Sequence, residues 1–108
     1  MKIIVVEGKK DKERLLQVLD EPVAFVCTNG TLSEEKLESL IWPLQDEEQV
    51  YIFVDADDSG NKLRSQLKRE LPNAKHLYTR KIYRQVQDTP LEHLAEVLFK
   101  AKFEVVLE

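Results

Sequence analysis

Three carboxylates stand out by their positions. Glu7 directly follows the apolar run Lys2–Val6, while Asp55 and Asp57 follow a second such run at residues 50–54. Side chains of an extended chain repeat every two residues, so Asp55 and Asp57 lie on one side and can converge on one point. If the two runs are neighbouring strands, Glu7 faces that pair across the rim of a sheet. Three carboxylates on one pole repel one another unless a hard divalent cation neutralises them. An oxygen-only set this sparse suits Mg²⁺ or Mn²⁺ and leaves positions for water and phosphate. Asp58 is a further ligand or, like Asp57, a cap for the helix that begins near Ser59.

The elements that must position these acids alternate in type. Lys2–Val6, Val23–Cys27 and residues 50–54 are short Ile- and Val-rich runs that suit strands buried on both faces, and residues 74–79 read as a fourth strand. Between them lie helical spacings: Leu15, Leu16, Val18 and Leu19; then Leu37, Leu40, Ile41 and Leu44; then Leu63, Leu67 and Leu71. Thr31 with Glu34 has capping-box spacing, and Ser33 is an equally good cap. Pro43 places the end of the regular part of the second helix near Trp42, and Pro72 stops the third. Thr89-Pro90-Leu91-Glu92 predicts a capped helix start ahead of Leu94, Ala95, Leu98 and Phe99. Residues 103–107 are a candidate last strand. This alternation predicts an α/β fold with a mostly parallel sheet of four to five strands and helices on both faces. Ligands of such sheets bind beyond the carboxyl ends of the strands, where Glu7 and the aspartates fall.

The chain of 108 residues suits a single domain, 1–108. No apolar run is long enough for a membrane span or a signal-peptide core, so the expected location is the cytoplasm and no membrane partner is expected. Cys27 is the only cysteine, which excludes an intrachain disulfide and a thiolate-rich zinc site. It reads as a small core residue, and Trp42 as a packing residue. His76 and His93 have no metal-ligand spacing. Tyr51, Tyr78 and Tyr83 read as packing or surface residues. Thr28 and Asn29 end the second strand, where they serve a turn or reach the site.

The net charge of −4 is unevenly spread. Residues 1–58 sum to −8, residues 59–84 to +7, and residues 85–108 to −3. The basic block contains Lys62, Arg64, Lys68 and Arg69 on the helix after the aspartates, expected away from its leucine face. Arg80, Lys81 and Arg84 follow the fourth strand and should emerge on the rim that carries the acids. Lys9 and Lys10 stand beside Glu7. Cations next to a metal site suit phosphate contacts, which fix position without reading sequence. The rival reading is that they balance the acidic half, within the chain or across an oligomer.

Val5-Val6-Glu7-Gly8-Lys9-Lys10-Asp11 and Phe53-Val54-Asp55-Ala56-Asp57-Asp58-Ser59-Gly60 resemble the two motifs of the Toprim domain. That domain is shared by topoisomerases, bacterial primases, OLD-family nucleases, a recombination mediator and ribonuclease M5. The resemblance spans at least residues 2–80, and Thr28-Asn29-Gly30 is closest to the ribonuclease M5 branch. It implies a Rossmann-like fold and Mg²⁺ held by Asp55 and Asp57. Glu7 joins the metal shell or acts as general acid/base in phosphodiester transfer or hydrolysis. The implied substrate is DNA or RNA. The nucleophilic tyrosine domain of topoisomerases and the substrate-binding domains of primases have no counterpart in 108 residues. A partner protein, a homodimer or this chain's own surface must then bind substrate. A non-catalytic metal- and nucleic-acid-binding module is the alternative. A phosphoacceptor receiver domain fits poorly, since it expects paired acids after the first strand and a single aspartate after the third.

Overall fold

The computed structural model describes residues 1–106. Strands β1 (Lys2–Val6), β2 (Val23–Cys27), β3 (Val50–Phe53) and β4 (Lys75–Leu77) alternate with helices α1 (Lys9–Leu16), α2 (Glu34–Lys36), α3 (Asp58–Glu70) and α4 (Leu91–Lys100). All strand pairs are parallel, and the sheet order is β2-β1-β3-β4. The chain leaves β1 toward β2 on one side and leaves β3 toward β4 on the other. Adjacent β1 and β3 therefore form the point where the winding reverses, which opens a crevice at their carboxyl ends.

The central strands β1 and β3 are buried on both faces, which explains their nearly unbroken apolar composition, whereas the edge strands β2 and β4 are only partly covered. Ile4, Val6, Tyr51, Phe53 and Leu77 face one way, against Leu15 of α1 and Leu94, Ala95 and Leu98 of α4. Ile3, Val5, Val50, Ile52 and Val54 face the other way, against Ile41, Leu44 and Leu63, Leu67 and Leu71. Ile4, Val5 and Val6 are wholly excluded from solvent, and each such side chain contributes about 1.5–3 kcal/mol of transfer free energy. No helix among the described residues is long and apolar enough to cross a membrane.

The structure decides between the two expected caps of α2, bears out the helix end at Pro43 and overturns the expected cap of α4. Ser33 caps α2, accepting a hydrogen bond from the Lys36 amide at 3.2 Å. The helical path then widens to a π turn at Leu37–Ile41 and continues past it only as a 3₁₀ turn at Trp42–Leu44, so the wider helix ends at Trp42 as Pro43 predicts. Pro43 has no N–H to donate to the preceding turn, which disfavours a regular α-helix there. Thr89 does not cap α4. Pro90 holds that position, and the buried Thr89 hydroxyl instead bonds the Gln85 carbonyl at 2.9 Å and the Thr79 hydroxyl.

Among the described residues the sheet has four strands, the lower of the four to five expected. Lys102 adopts φ of 72° just after α4 and reverses the chain. Residues 103–106 then run along the turn that follows α1 instead of joining the sheet. Val105 makes an isolated antiparallel bridge to Leu19, and Phe103 packs edge-on against Tyr51 with ring centroids 4.6 Å apart. Leu107, the end of the candidate strand, lies outside the described residues.

Candidate metal centre

Pairing of β1 with β3 brings Glu7 beside Asp55 although 48 residues separate them in the chain. One carboxylate oxygen from each of Glu7, Asp55 and Asp57 lies within 4.8 Å of the others. Each of the three is oriented by a backbone amide. The Asp55 amide donates to Glu7 Oε1 at 3.0 Å, the Val86 amide to Asp55 Oδ1 at 2.8 Å, and the Gly60 amide to Asp57 Oδ1 at 2.7 Å. The second oxygen of each accepts no hydrogen bond among the described residues. The strand ends and the start of α3 thus bring together three aimed carboxylates, each with one oxygen unengaged.

Local sequence explains the aim. Asp57 is in extended conformation and caps α3, so the capping role and the cluster role coincide in one side chain. Gly60 sits in the first turn of α3, packed directly on the backbone of Asp55. A Cβ there would fall 2.1 Å from the Asp55 carbonyl oxygen, so any other residue would push the helix off the motif. Glu7 is braced from β2: the Asn29 amide, in a residue with φ of 54°, donates to the Glu7 carbonyl at 2.7 Å. Thr28 is fully buried, and its amide donates to the Val6 carbonyl at 3.0 Å. These two residues serve the turn and hold the backbone of the site.

Burial and neighbouring charge raise the affinity of Glu7, Asp55 and Asp11 for protons. Desolvation is the main cause for Glu7, offset in part by the Asp55 amide and reinforced by Asp55 and Asp57. Asp55 is likewise raised by burial, with Asp57 and Asp88 adding to it and the Val86 amide holding it down. Asp11 is a buried acid whose position sequence reading quoted but gave no role. It lies one helical turn after Glu7, accepts from the Gly8 amide at 3.1 Å, and is pushed up to about 6 by burial and by Asp55. That one-turn spacing was the signal available for Asp11. Asp88, whose charge acts on both Asp11 and Asp55, had none.

These features fit a hard divalent cation. All donors are oxygen, they converge, and like charges confined this closely gain from a cation between them. Asp58 is exposed in the first turn of α3 and lies outside the convergent group, where its charge favours the helix N-terminus.

The predicted cations separate into groups. Residues 79–88 fold over the acid cluster, fastened by the bond from Val86 to Asp55 and by the Ala56 amide donating to the Arg84 carbonyl at 2.6 Å. Arg80, Lys81 and Arg84 are therefore on the acidic rim, and all three are exposed. Lys9 and Lys10, in the first turn of α1, and Lys62, in the second turn of α3, are exposed near the same rim.

Two cations depart from expectation. Arg69 lies at the far end of α3, about 18 Å along the axis from Asp57. There it lines a 360 Å³ cavity with Leu44, Val50 and Ala74 at the opposite end of the strands. Arg64 is 5% exposed instead of solvated. Its guanidinium donates to the carbonyls of Val54 (3.2 Å) and Leu77 (3.0 Å), meets His76 Nδ1 at 2.9 Å, and stacks on Tyr78 with 4.1 Å to the ring centroid. It joins the ends of β3 and β4 where they part.

A family model described as the Toprim domain matches residues 2–84, with both acidic motifs inside the match. The chain belongs to the Toprim domain family. The protein YusF of Bacillus subtilis (strain 168) is 50% identical over 104 residues, covering 96% of this chain and 70% of that protein. Ribonuclease M5 of Mycoplasma genitalium is 34% identical over 76 residues, covering 70% of this chain. The chain spans only 42% of that enzyme. A solved structure of a small TOPRIM domain protein from Bacillus stearothermophilus superposes with a TM-score of 0.89 at 47% identity, covering 97% of this chain and 88% of that one. The Toprim fold inferred from sequence is the fold observed.

Proposed function

We propose that this Toprim chain is a Mg²⁺-dependent hydrolase of nucleic-acid phosphodiesters, with RNA as the favoured substrate. The observation that carries the reading is the set of three carboxylates, each aimed by a backbone amide with one oxygen unengaged, beside an exposed rim of Arg80, Lys81 and Arg84. Ribonuclease M5 relatives support the RNA preference. Asp55 and Asp57 are the residues that would hold the ion, with Glu7 as third ligand or as general acid/base. Bound there, a divalent ion supplies charge neutralisation at the phosphoryl oxygens and activation of water. The chain's own groups do the rest. The rim cations position the backbone, and Glu7 takes the proton from the attacking water or returns one to the leaving oxygen. An O–P bond forms from water as the ester O–P bond breaks, and the departing oxygen leaves protonated.

A second reading is a docking module that holds metal and nucleic acid while a partner protein or a second copy completes the substrate site. The chain's limited share of ribonuclease M5 favours it. Both are tested by cleavage of end-labelled structured RNA, single-stranded DNA and duplex DNA with Mg²⁺ or Mn²⁺, next to Glu7→Gln and Asp55→Asn proteins. The hydrolase reading expects metal-dependent products that fall at least about a hundredfold in both variants. Metal binding without products from any substrate would favour the module.

A further inference from the structure

We propose that Tyr78 is a stacking platform for an unpaired nucleobase, set one strand away from the metal centre, so that this surface grips single-stranded nucleic acid. The proposal rests on the reading that the chain acts on nucleic acid. Tyr78 directly follows β4 and is 56% exposed, a large apolar ring facing solvent at the carboxyl rim of the sheet. Its strand neighbour β3 leads into Asp55, and paired strands lie about 4.8 Å apart.

The ring is fixed rather than loose. The Arg64 guanidinium packs against it, and that group is itself pinned by the Val54 and Leu77 carbonyls and His76. A rigid aromatic with a cation behind it is a good surface for a π-face, and base–aromatic stacking tolerates any base. Beside the ring is a 230 Å³ depression lined in part by Arg80, His93, Val97 and Lys100. Val97 gives it an apolar wall. Glu96 also borders it, but its charge is engaged by Lys100 at 3.0 Å and faces His93 at 3.7 Å.

Charge favours a nucleic-acid strand as the occupant. Arg80, Lys81 and Arg84 make no ion pair among the described residues, and they continue the rim from Tyr78 to the acid cluster. Ile82, 81% exposed at the tip of the same loop, adds a second apolar contact between the cations. Alternating cations and exposed apolar side chains match a strand whose phosphates and unpaired bases alternate. A duplex hides its base faces and offers only the phosphates to this surface.

The test is equilibrium binding without cleavage, with Ca²⁺ in place of Mg²⁺, to decamers carrying 2-aminopurine. RNA and DNA single strands form two arms and a blunt duplex a third. For at least one single strand, Tyr78→Ala weakens binding about tenfold and abolishes the 2-aminopurine quench, while Tyr78→Phe retains both. Duplex affinity is unchanged by Tyr78→Ala. Arg80→Ala lowers the slope of log affinity against log salt by about 0.7 for single strands. Equal single-strand binding by wild type and Tyr78→Ala, or no single-strand binding by wild type, overturns the platform. The cleavage assay separates this from the hydrolase reading: intact cleavage by Tyr78→Ala at wild-type affinity removes the platform alone. Binding and quenching that depend on Tyr78, without cleavage of any substrate, remove the hydrolase alone.

Discussion

A buried guanidinium and a half-buried set of three carboxylates sit at adjacent strand ends of this sheet and are treated in opposite ways. Between β3 and β4, Arg64 is surrounded by partners: two carbonyls, an imidazole nitrogen and an aromatic face. Between β1 and β3, Glu7, Asp55 and Asp57 surround one another, and Asp11 lies behind them. The guanidinium closes the gap left where two strands part, which is a structural task. The carboxylates repel one another and leave oxygens unused, an arrangement that costs folding stability and that a bound cation would relieve. A single sheet rim thus holds both a satisfied charge and an unsatisfied cluster, and the second is the candidate site.

The largest stability effect should come from relieving the cluster. Folded Asp11 binds its proton up to about pH 6, whereas the unfolded carboxyl loses it near 3.8. Between those values the native state holds the extra proton, so this group's penalty is absent below about pH 4 and fully present above about pH 6. Asp11→Asn should stabilise the metal-free protein at pH 7.5 by up to about 3 kcal/mol and by almost nothing at pH 4, read from urea titrations at both pH values. A gain of equal size at both would show that charge is not the cause.

The opposite change at the satisfied charge should have the opposite sign. Arg64→Met leaves the Val54 and Leu77 carbonyls without their donor and should cost about 2 kcal/mol at pH 7.5, measured in the same titrations. Arg64→Lys should recover only part of that, since an ammonium cannot span both carbonyls as the planar fork does. An Arg64→Met protein as stable as wild type would mean the guanidinium is dispensable to the fold.

The smallest effect belongs to His76. Burial, Arg64 and Lys68 push its pKa down to about 4, so it stays neutral in the fold while the unfolded ring protonates near 6.5. Stability from this group is therefore present above about pH 6.5 and lost as pH falls toward 4. His76→Asn should flatten that loss by about 1 kcal/mol between pH 7 and pH 4.5, with little change at pH 7, followed by the acid dependence of the melting midpoint.

The acidic site was legible because its signals are local: a strand, a charge at its end, and an Asp-x-Asp whose alternation puts both carboxylates on one side. The topology that joins its halves followed from β/α alternation. Arg64 was misplaced because its charge was read as outward, although Gly60, Arg64, Leu67 and Leu71 follow the spacing of one helix face, and all four are buried. Only the parting of β3 and β4, a tertiary feature, creates the carbonyl pair it serves. Arg69 failed on length: twelve residues of helix carry it to the other end of the sheet. Residues 103–106 are β-branched and apolar enough for a strand, but the turn at Lys102 sends them elsewhere. The fastening of Val86 to Asp55 is an amide contact, and side-chain identity does not announce it.

That fastening also sets a clock on synthesis. The carboxylate of Asp55 takes its orientation from an amide 31 residues further along, and Glu7 must wait for β3. A growing chain has no assembled centre until Val86 has left the ribosome. Any chain that stalls or is clipped before that point carries the acids but not their arrangement.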